Sequence, residues 1–106
     1  VAFQEGLPIT VVIDNNGGLD CISQQQERLF SNGKHFATDF RDIPFHTMFE
    51  GLGGYGELVT KSEDIGPALR RAMKSGKTAC INVKCKGVIS PIVAATSDKR
   101  DKASIE

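Results

Sequence analysis

Hydrophobic positions change period several times along the chain, and each change marks an element. Residues 7–13 (LPITVVI) form an unbroken apolar, mostly β-branched run entered through Gly6 and Pro8. Continuous rather than alternating hydrophobicity predicts a strand buried on both faces, as in a parallel sheet. The run stops at Asp14-Asn15-Asn16-Gly17-Gly18. From Leu19 to Phe30 the spacing turns helical: Leu19, Ile22, Gln26, Leu29 and Phe30 recur at three- and four-residue steps, with Gln24, Gln25, Glu27 and Arg28 between them. Asp20 or Ser23 is suited to cap this helix, and Ser31-Asn32-Gly33 ends it.

Lys34 to Arg41 has no clean period and reads as a surface connection. Asp42 is placed to cap a second helix, with Pro44 near its first turn and Ile43, Phe45, Met48, Phe49 and Leu52 as its apolar positions. Gly51, Gly53, Gly54 and Gly56 end it, and Glu57-Leu58-Val59 is a short strand. Ser62 then caps a third helix opened by Glu63 and Asp64, acids suited to the positive end of the dipole. Ile65, Leu69, Ala72 and Met73 make its buried stripe, and Lys74 and Gly76 close it. Pro67 fits only if it lies within the first turn. Residues 78–84 (TACINVK) are a further strand, and residues 87–93 (GVISPIV) an extended segment. From Ala94 onward the chain is polar, which predicts a frayed tail. Strands alternating with helices predict an α/β fold: a parallel sheet with flanking helices, part of a three-layer α/β/α domain.

Composition narrows the partners. The chain has 106 residues, with 13 basic and 13 acidic side chains and a formal net charge of zero. One domain is the expectation at this length. Zero net charge removes the positive field of a nucleic-acid or anionic-membrane binder, so neither is expected as a partner. No apolar run approaches the ~20 residues that span a bilayer. Three cysteines, Cys21, Cys80 and Cys85, form no C-x-x-C pair and predict reduced thiols in a cytoplasmic protein. Cys80, inside an apolar strand, reads as a small core residue.

The candidate chemistry lies in Asn15-Asn16-Gly17-Gly18, between a strand and a helix. In open parallel sheets, ligands bind beyond the carboxyl ends of strands. Asparagine and backbone carbonyls are hard oxygen ligands for magnesium or calcium. Glycines permit close approach to an anion, and a helix N-terminus offers N–H groups to phosphate. The tetrapeptide also reads as a plain Asn-Gly turn. No competing site stands out. Cys21 has no adjacent base and suits a pocket wall. His35 lies in a polar connection, and His46 falls on the second helix as a surface or packing residue. The two histidines do not make a zinc site. Gly51 to Gly56 follows a helix and precedes a strand, the reverse of a dinucleotide fingerprint, and reads as a tight turn.

The run LPITVVIDNNGG followed by LDCISQQQERLF resembles the second half of the diphosphate-binding domain of thiamine-diphosphate enzymes. Among these enzymes it resembles the acetohydroxyacid synthase, oxalyl-CoA decarboxylase and 2-hydroxyacyl-CoA lyase group. The likeness continues through FEGLGGYGELVTKSEDIGPALRRAMKSGKTACINVKCKGVISPIV and so covers residues 5–93. Carried over residue by residue, it implies that Asn16 binds magnesium through its side-chain oxygen and Gly18 through its backbone carbonyl. Asn15 supports the loop, and backbone groups of Gly17, Gly18 and Leu19 lie near the diphosphate.

The family's motif opens with Gly-Asp-Gly, whose aspartate is the third protein ligand, and no such tripeptide precedes Asn15. Its cofactor-activating glutamate belongs to another domain, contributed by a neighbouring subunit. The resemblance therefore implies a domain piece over residues 1–93 with a tail over 94–106, taken from a longer homo-oligomeric polypeptide. Its partners are then the remaining domains, a second subunit and a small-molecule substrate. Alone, such a piece is expected to be inactive.

Two departures bear on the substrate. Acetohydroxyacid synthases usually carry Met-Val-x-Gln-Trp-Gln after the loop. Here Cys21 replaces the methionine and Gln25 the tryptophan. The expectation is accordingly a thiamine-diphosphate- and magnesium-dependent decarboxylase, lyase or carboligase acting on 2-oxo acids or 2-hydroxyacyl-CoA. The competing reading is a free-standing, non-catalytic α/β interaction module, whose open sheet edge would recruit partners.

Overall fold

A computed structural model describes residues 1–30 and 32–95. Two compact units emerge: residues 1–15 with 42–85, and residues 16–41 with the segment that starts at Lys86. The polar tail expected from Ala94 onward lies almost wholly outside the described residues, as does Ser31 of the helix stop.

The first unit is a three-stranded parallel sheet with helices on both faces. Strand β1 (Thr10–Asn15), strand β2 (Tyr55–Val59) and strand β3 (Ala79–Lys84) lie in the order β1-β3-β2. Ala79 is aligned with both Thr10 and Tyr55, and Ile81 with Val12 and Glu57. Helix α1 (Asp20–Leu29) belongs to the second unit, and helix α2 (Phe45–Gly51) and helix α3 (Ile65–Ser75) to the first. Alternation along β3 sorts its neighbours. Ala79 and Ile81 join Val59, Ala68 and Ala72 in the core, with Tyr55, Ile65, Leu69 and Val83 against it, so α3 covers this face. The other face carries Asn82, which meets His46 of α2. The β1-to-β2 connection crosses the sheet one way with α2 on one face. The β2-to-β3 connection returns with α3 on the other, as a single crossover hand requires. The expected α/β class and its three layers are present.

The pattern that placed each element also misplaced some ends. β1 starts three residues later than residues 7–13 suggested and extends into Asp14 and Asn15. Leu7-Pro8-Ile9 only leads into the ladder, which begins where Thr10 meets Ala79. Nor is β1 buried on both faces: it is an edge strand, and Val12 is half exposed. The doubly buried strand is β3. Helix α2 starts at Phe45, not after Asp42, whose carboxylate instead pairs with Lys84. Ser62 opens a 3-10 turn (Ser62–Asp64) ahead of α3 and makes no cap bond to the backbone; its hydroxyl meets Glu63. Pro67, third in α3, sits in the first turn, where its missing N–H costs nothing. Met73 is 73% exposed, and Ala68 takes its expected place in the buried stripe with Ala72.

Two close approaches fix the turn from α2 to β2. A Cβ on Gly54 would lie 2.3 Å from the Thr78 carbonyl, and one on Gly56 2.1 Å from the His46 carbonyl. The Gly51–Gly56 run is a packing turn, as its order relative to helix and strand implied.

In the second unit, neither Asp20 nor Ser23 caps α1 with its side chain. Ser23 is the buried residue of that helix, whereas Leu19, Ile22, Leu29 and Phe30 stand part-exposed. The apolar spacing therefore marks a helix but not a face packed within this unit. Residues 91–95 form a helical turn rather than extended chain, with Ala94 N–H bonded to the Ser90 carbonyl. Pro91 at its first position explains why proline does not prevent it. Among the described residues no helix is long and apolar enough to cross a membrane.

Candidate functional site

The Asn16–Leu19 loop is held by a short antiparallel pairing with residues 38–40. Gly18 and Asp39 face each other across an isolated bridge. On either side, Leu19 N–H donates to the Thr38 carbonyl (2.7 Å) and Phe40 N–H to the Gly17 carbonyl (2.8 Å). Both bonds flank the Gly18–Asp39 pair, so Gly18 occupies a non-hydrogen-bonded position. Its own N–H and C=O are directed away from residues 38–40.

Glycine is required at both places. Gly17 has φ +81°, and a Cβ on Gly18 would fall 2.5 Å from the Thr38 carbonyl. Asn16 folds back over the turn, its Oδ1 accepting from Gly18 N–H at 3.3 Å. Beneath the loop, the Ser23 hydroxyl is shared between Thr38 Oγ1 at 2.6 Å and the Leu19 carbonyl at 3.2 Å. Ser23 and Thr38 are both buried.

The donor set suits a hard cation. Asn16 Oδ1 and the outward Gly18 carbonyl are neutral oxygens of the kind magnesium accepts, and the close fit at Gly18 leaves no room for a side chain beside its backbone. Two oxygens cannot satisfy an octahedral ion, and the described residues contain no group of three His, Cys, Asp or Glu able to hold a metal. By themselves these two oxygens could fill only part of such an ion's shell. Leu19's amide donates to the Thr38 carbonyl and Gly18's to Asn16 Oδ1, so the pairing and the turn fix both residues in place.

Asn15, the last residue of β1, lies in the first unit. It is buried, and its Nδ2 donates to Asn82 Oδ1 at 3.1 Å. Asn82, 1% exposed, in turn donates through Nδ2 towards the Ile43 carbonyl (3.4 Å) and lies 3.3 Å from His46 Nδ1. Asn15 was expected to support the loop; what its side chain meets is Asn82, which was not foreseen because one polar residue within TACINVK looks like ordinary alternation. The network also explains His46 as a packing residue.

Electrostatics add a clamp within the second unit. His35 lies between Asp39 (2.9 Å) and Glu27 (2.6 Å). These hydrogen bonds, Asp39's first, hold its pKa above the ordinary histidine value. In the first unit Arg71 makes a two-pronged contact with Glu57 and lowers that carboxyl's pKa. Burial raises the Cys80 thiol, which suits an inert core residue. Cys21, the second residue of α1, is exposed.

Residues 1–83 match the family described as thiamine pyrophosphate enzyme, C-terminal TPP binding domain, and the chain belongs to that family. It is similar to the acetolactate synthase large subunit of Corynebacterium glutamicum, 40% identical over an alignment 76 residues long that covers 67% of this chain and 12% of that protein. A putative thiamine pyrophosphate-containing protein of Bacillus subtilis, YdaP, is 32% identical over 82 residues, covering 77% of this chain and 14% of its own length. The sulfoacetaldehyde acetyltransferase of Alcaligenes xylosoxydans is 31% identical over an alignment 88 residues long that covers 79% of this chain and 14% of that protein. The chain therefore spans between 12% and 14% of the length of these relatives.

Proposed function

We propose that the Asn16–Gly18 loop is the asparagine half of a magnesium–diphosphate site in a thiamine-diphosphate-dependent decarboxylase, lyase or carboligase. The observation that carries this reading is the Gly18 carbonyl, turned away from residues 38–40 by their pairing, in a turn whose Asn16 Oδ1 folds back onto the Gly18 N–H. Asn16, through its side-chain oxygen, and Gly18, through its backbone carbonyl, would hold the ion, whose charge would serve to neutralise the diphosphate. Gly17 and Gly18 let the backbone approach it. When bound, thiamine diphosphate supplies the carbanion chemistry that protein side chains cannot. This chain's part is to bind and orient.

The substrate class is 2-oxo acids or 2-hydroxyacyl-CoA. The names of the acetolactate synthase and acetyltransferase relatives favour transfer of a two-carbon unit, while Cys21 and Gln25 depart from the strict acetohydroxyacid synthase pattern. With two oxygens of its own, the chain by itself is inactive. The remaining metal ligand, the cofactor-activating acid and the cover for Ile22, Leu29 and Phe36 come from further domains and a second subunit of a homo-oligomer. The cysteine usage favours a cytoplasmic setting.

Calorimetric titration of thiamine diphosphate into the assembled full polypeptide tests this, with and without magnesium. Binding should require the ion, and Asn16→Ala should weaken it at least about tenfold. Magnesium-independent binding, or unchanged affinity in Asn16→Ala, would overturn the assignment.

A further inference from the structure

The segment Lys34 to Arg41, featureless as sequence, contains the mould against which the loop is cast. Thr38 does three things at once. Its carbonyl accepts from Leu19 N–H at 2.7 Å. That same oxygen sets the limit of 2.5 Å that forbids a side chain on residue 18. Its hydroxyl, at 3% residue exposure, meets the buried Ser23 hydroxyl at 2.6 Å, and Ser23 reaches back to the Leu19 carbonyl. Leu19 is thus gripped at both its N–H and its C=O by one continuous hydrogen-bonded set.

Both hydroxyls are buried and mutually satisfied, a condition under which loss of one leaves the other short of a partner. Ala37, immediately before Thr38, takes φ 59°, a left-handed conformation uncommon outside glycine and asparagine.

We infer that Thr38, acting with Ser23, is a positioning residue that sets the direction of the Gly18 carbonyl and so tunes metal–diphosphate affinity without touching either group. The inference rests on the reading of Asn16–Gly18 as a metal–diphosphate half-site. It concerns a different property: which residues outside the loop hold it in its binding geometry.

The test is calorimetric binding of thiamine diphosphate in excess magnesium to the assembled full polypeptide, with Thr38→Val, Thr38→Ser, Ser23→Ala and Asn16→Ala compared. Thr38→Val keeps the β-branched shape and removes the hydroxyl. It should raise the dissociation constant about tenfold, as loss of an outer-layer partner of a metal site does. Thr38→Ser should restore affinity to within about twofold, and turnover at saturating cofactor should be unchanged in both. If Thr38→Val does not fold, Ser23→Ala gives the same reading from the other hydroxyl.

Normal affinity in Thr38→Val or Ser23→Ala, with Asn16→Ala impaired, would overturn the positioning role and leave the half-site standing. Normal affinity in Asn16→Ala would overturn both. A fall in turnover at saturating cofactor without a change in affinity would also contradict the inference.

Discussion

The two units hold their shape by different means. In the first, α3 lays Ala68 and Ala72 against Ala79, Ile81 and Val59, and the small residues on the helix bring it close to the sheet. Apolar burial dominates there, at roughly 1.5–3 kcal/mol for a side chain the size of Ile81. In the second, the polar Ser23 and Thr38 are buried alongside a single apolar residue among those described, Val93, while Leu29 and Phe36 are exposed. That unit is fastened by directed hydrogen bonds: Leu19 to Thr38, Phe40 to Gly17, and Ser23 to Thr38. Burial is tolerant of small shifts, whereas a carbonyl aimed at a ligand must be oriented. The loop is therefore built from the interactions that carry direction.

The contrast is broken most severely by emptying the core. Ile81→Ala should destabilise the protein by about 3 kcal/mol in a urea titration, since the fully buried side chain leaves a cavity between α3 and the sheet. A loss under 1 kcal/mol would mean that this core is not what holds the first unit.

Asn82→Leu asks whether a polar group in the sheet is structural. It removes the Asn82 Oδ1 acceptor that Asn15 Nδ2 meets at 3.1 Å and the contact with His46, and should cost about 2 kcal/mol by the same titration. A neutral result would show that the network adds nothing beyond packing.

Gly18→Ala should divide the two regions most clearly. A methyl placed 2.5 Å from the Thr38 carbonyl forces the pairing open locally, costing about 1 kcal/mol in stability. Thiamine diphosphate affinity should fall by at least about tenfold. Equal losses from Ile81→Ala and Gly18→Ala in both assays would erase the distinction between the units.

The smallest effect is that of pH on His35. Its raised pKa means that the protonated ring is favoured in the folded state by Asp39 and Glu27. This stabilisation is fully present below the unfolded value of about 6.5 and is lost as pH rises through the higher folded value. The difference in melting temperature between the protein and His35→Gln should therefore shrink with rising pH. NMR titration of the imidazole should give a midpoint above that of a free histidine; a midpoint at or below it would remove the clamp.

Legibility in the sequence followed the same division. Apolar runs and helical spacing found every strand and helix of the sheet unit to within about three residues, because burial is what those patterns encode. They failed where an apolar residue was not buried. Val12 lies on an edge, and Met73 sits on the exposed side of α3, where Ala68 makes the closer contact. The loop was legible through Asn16, Gly17 and Gly18, since amide oxygens and left-handed turns require those residue types. Thr38 and Ser23 were not. Residues 34–41 have no period, and the pairing with Gly18 runs through backbone atoms that any residue possesses. Asn82 was missed for a related reason: only its place on the central strand, opposite α2, makes its polarity meaningful.

The most direct test of the account is to locate the ion itself. A crystal structure of the assembled full polypeptide with thiamine diphosphate and Mn2+ would place the metal through its anomalous scattering. The account predicts a peak about 2.1 Å from both Asn16 Oδ1 and the Gly18 carbonyl oxygen, with the diphosphate as a further ligand. A metal–diphosphate peak coordinated by other residues and out of reach of Asn16 and Gly18 would contradict it.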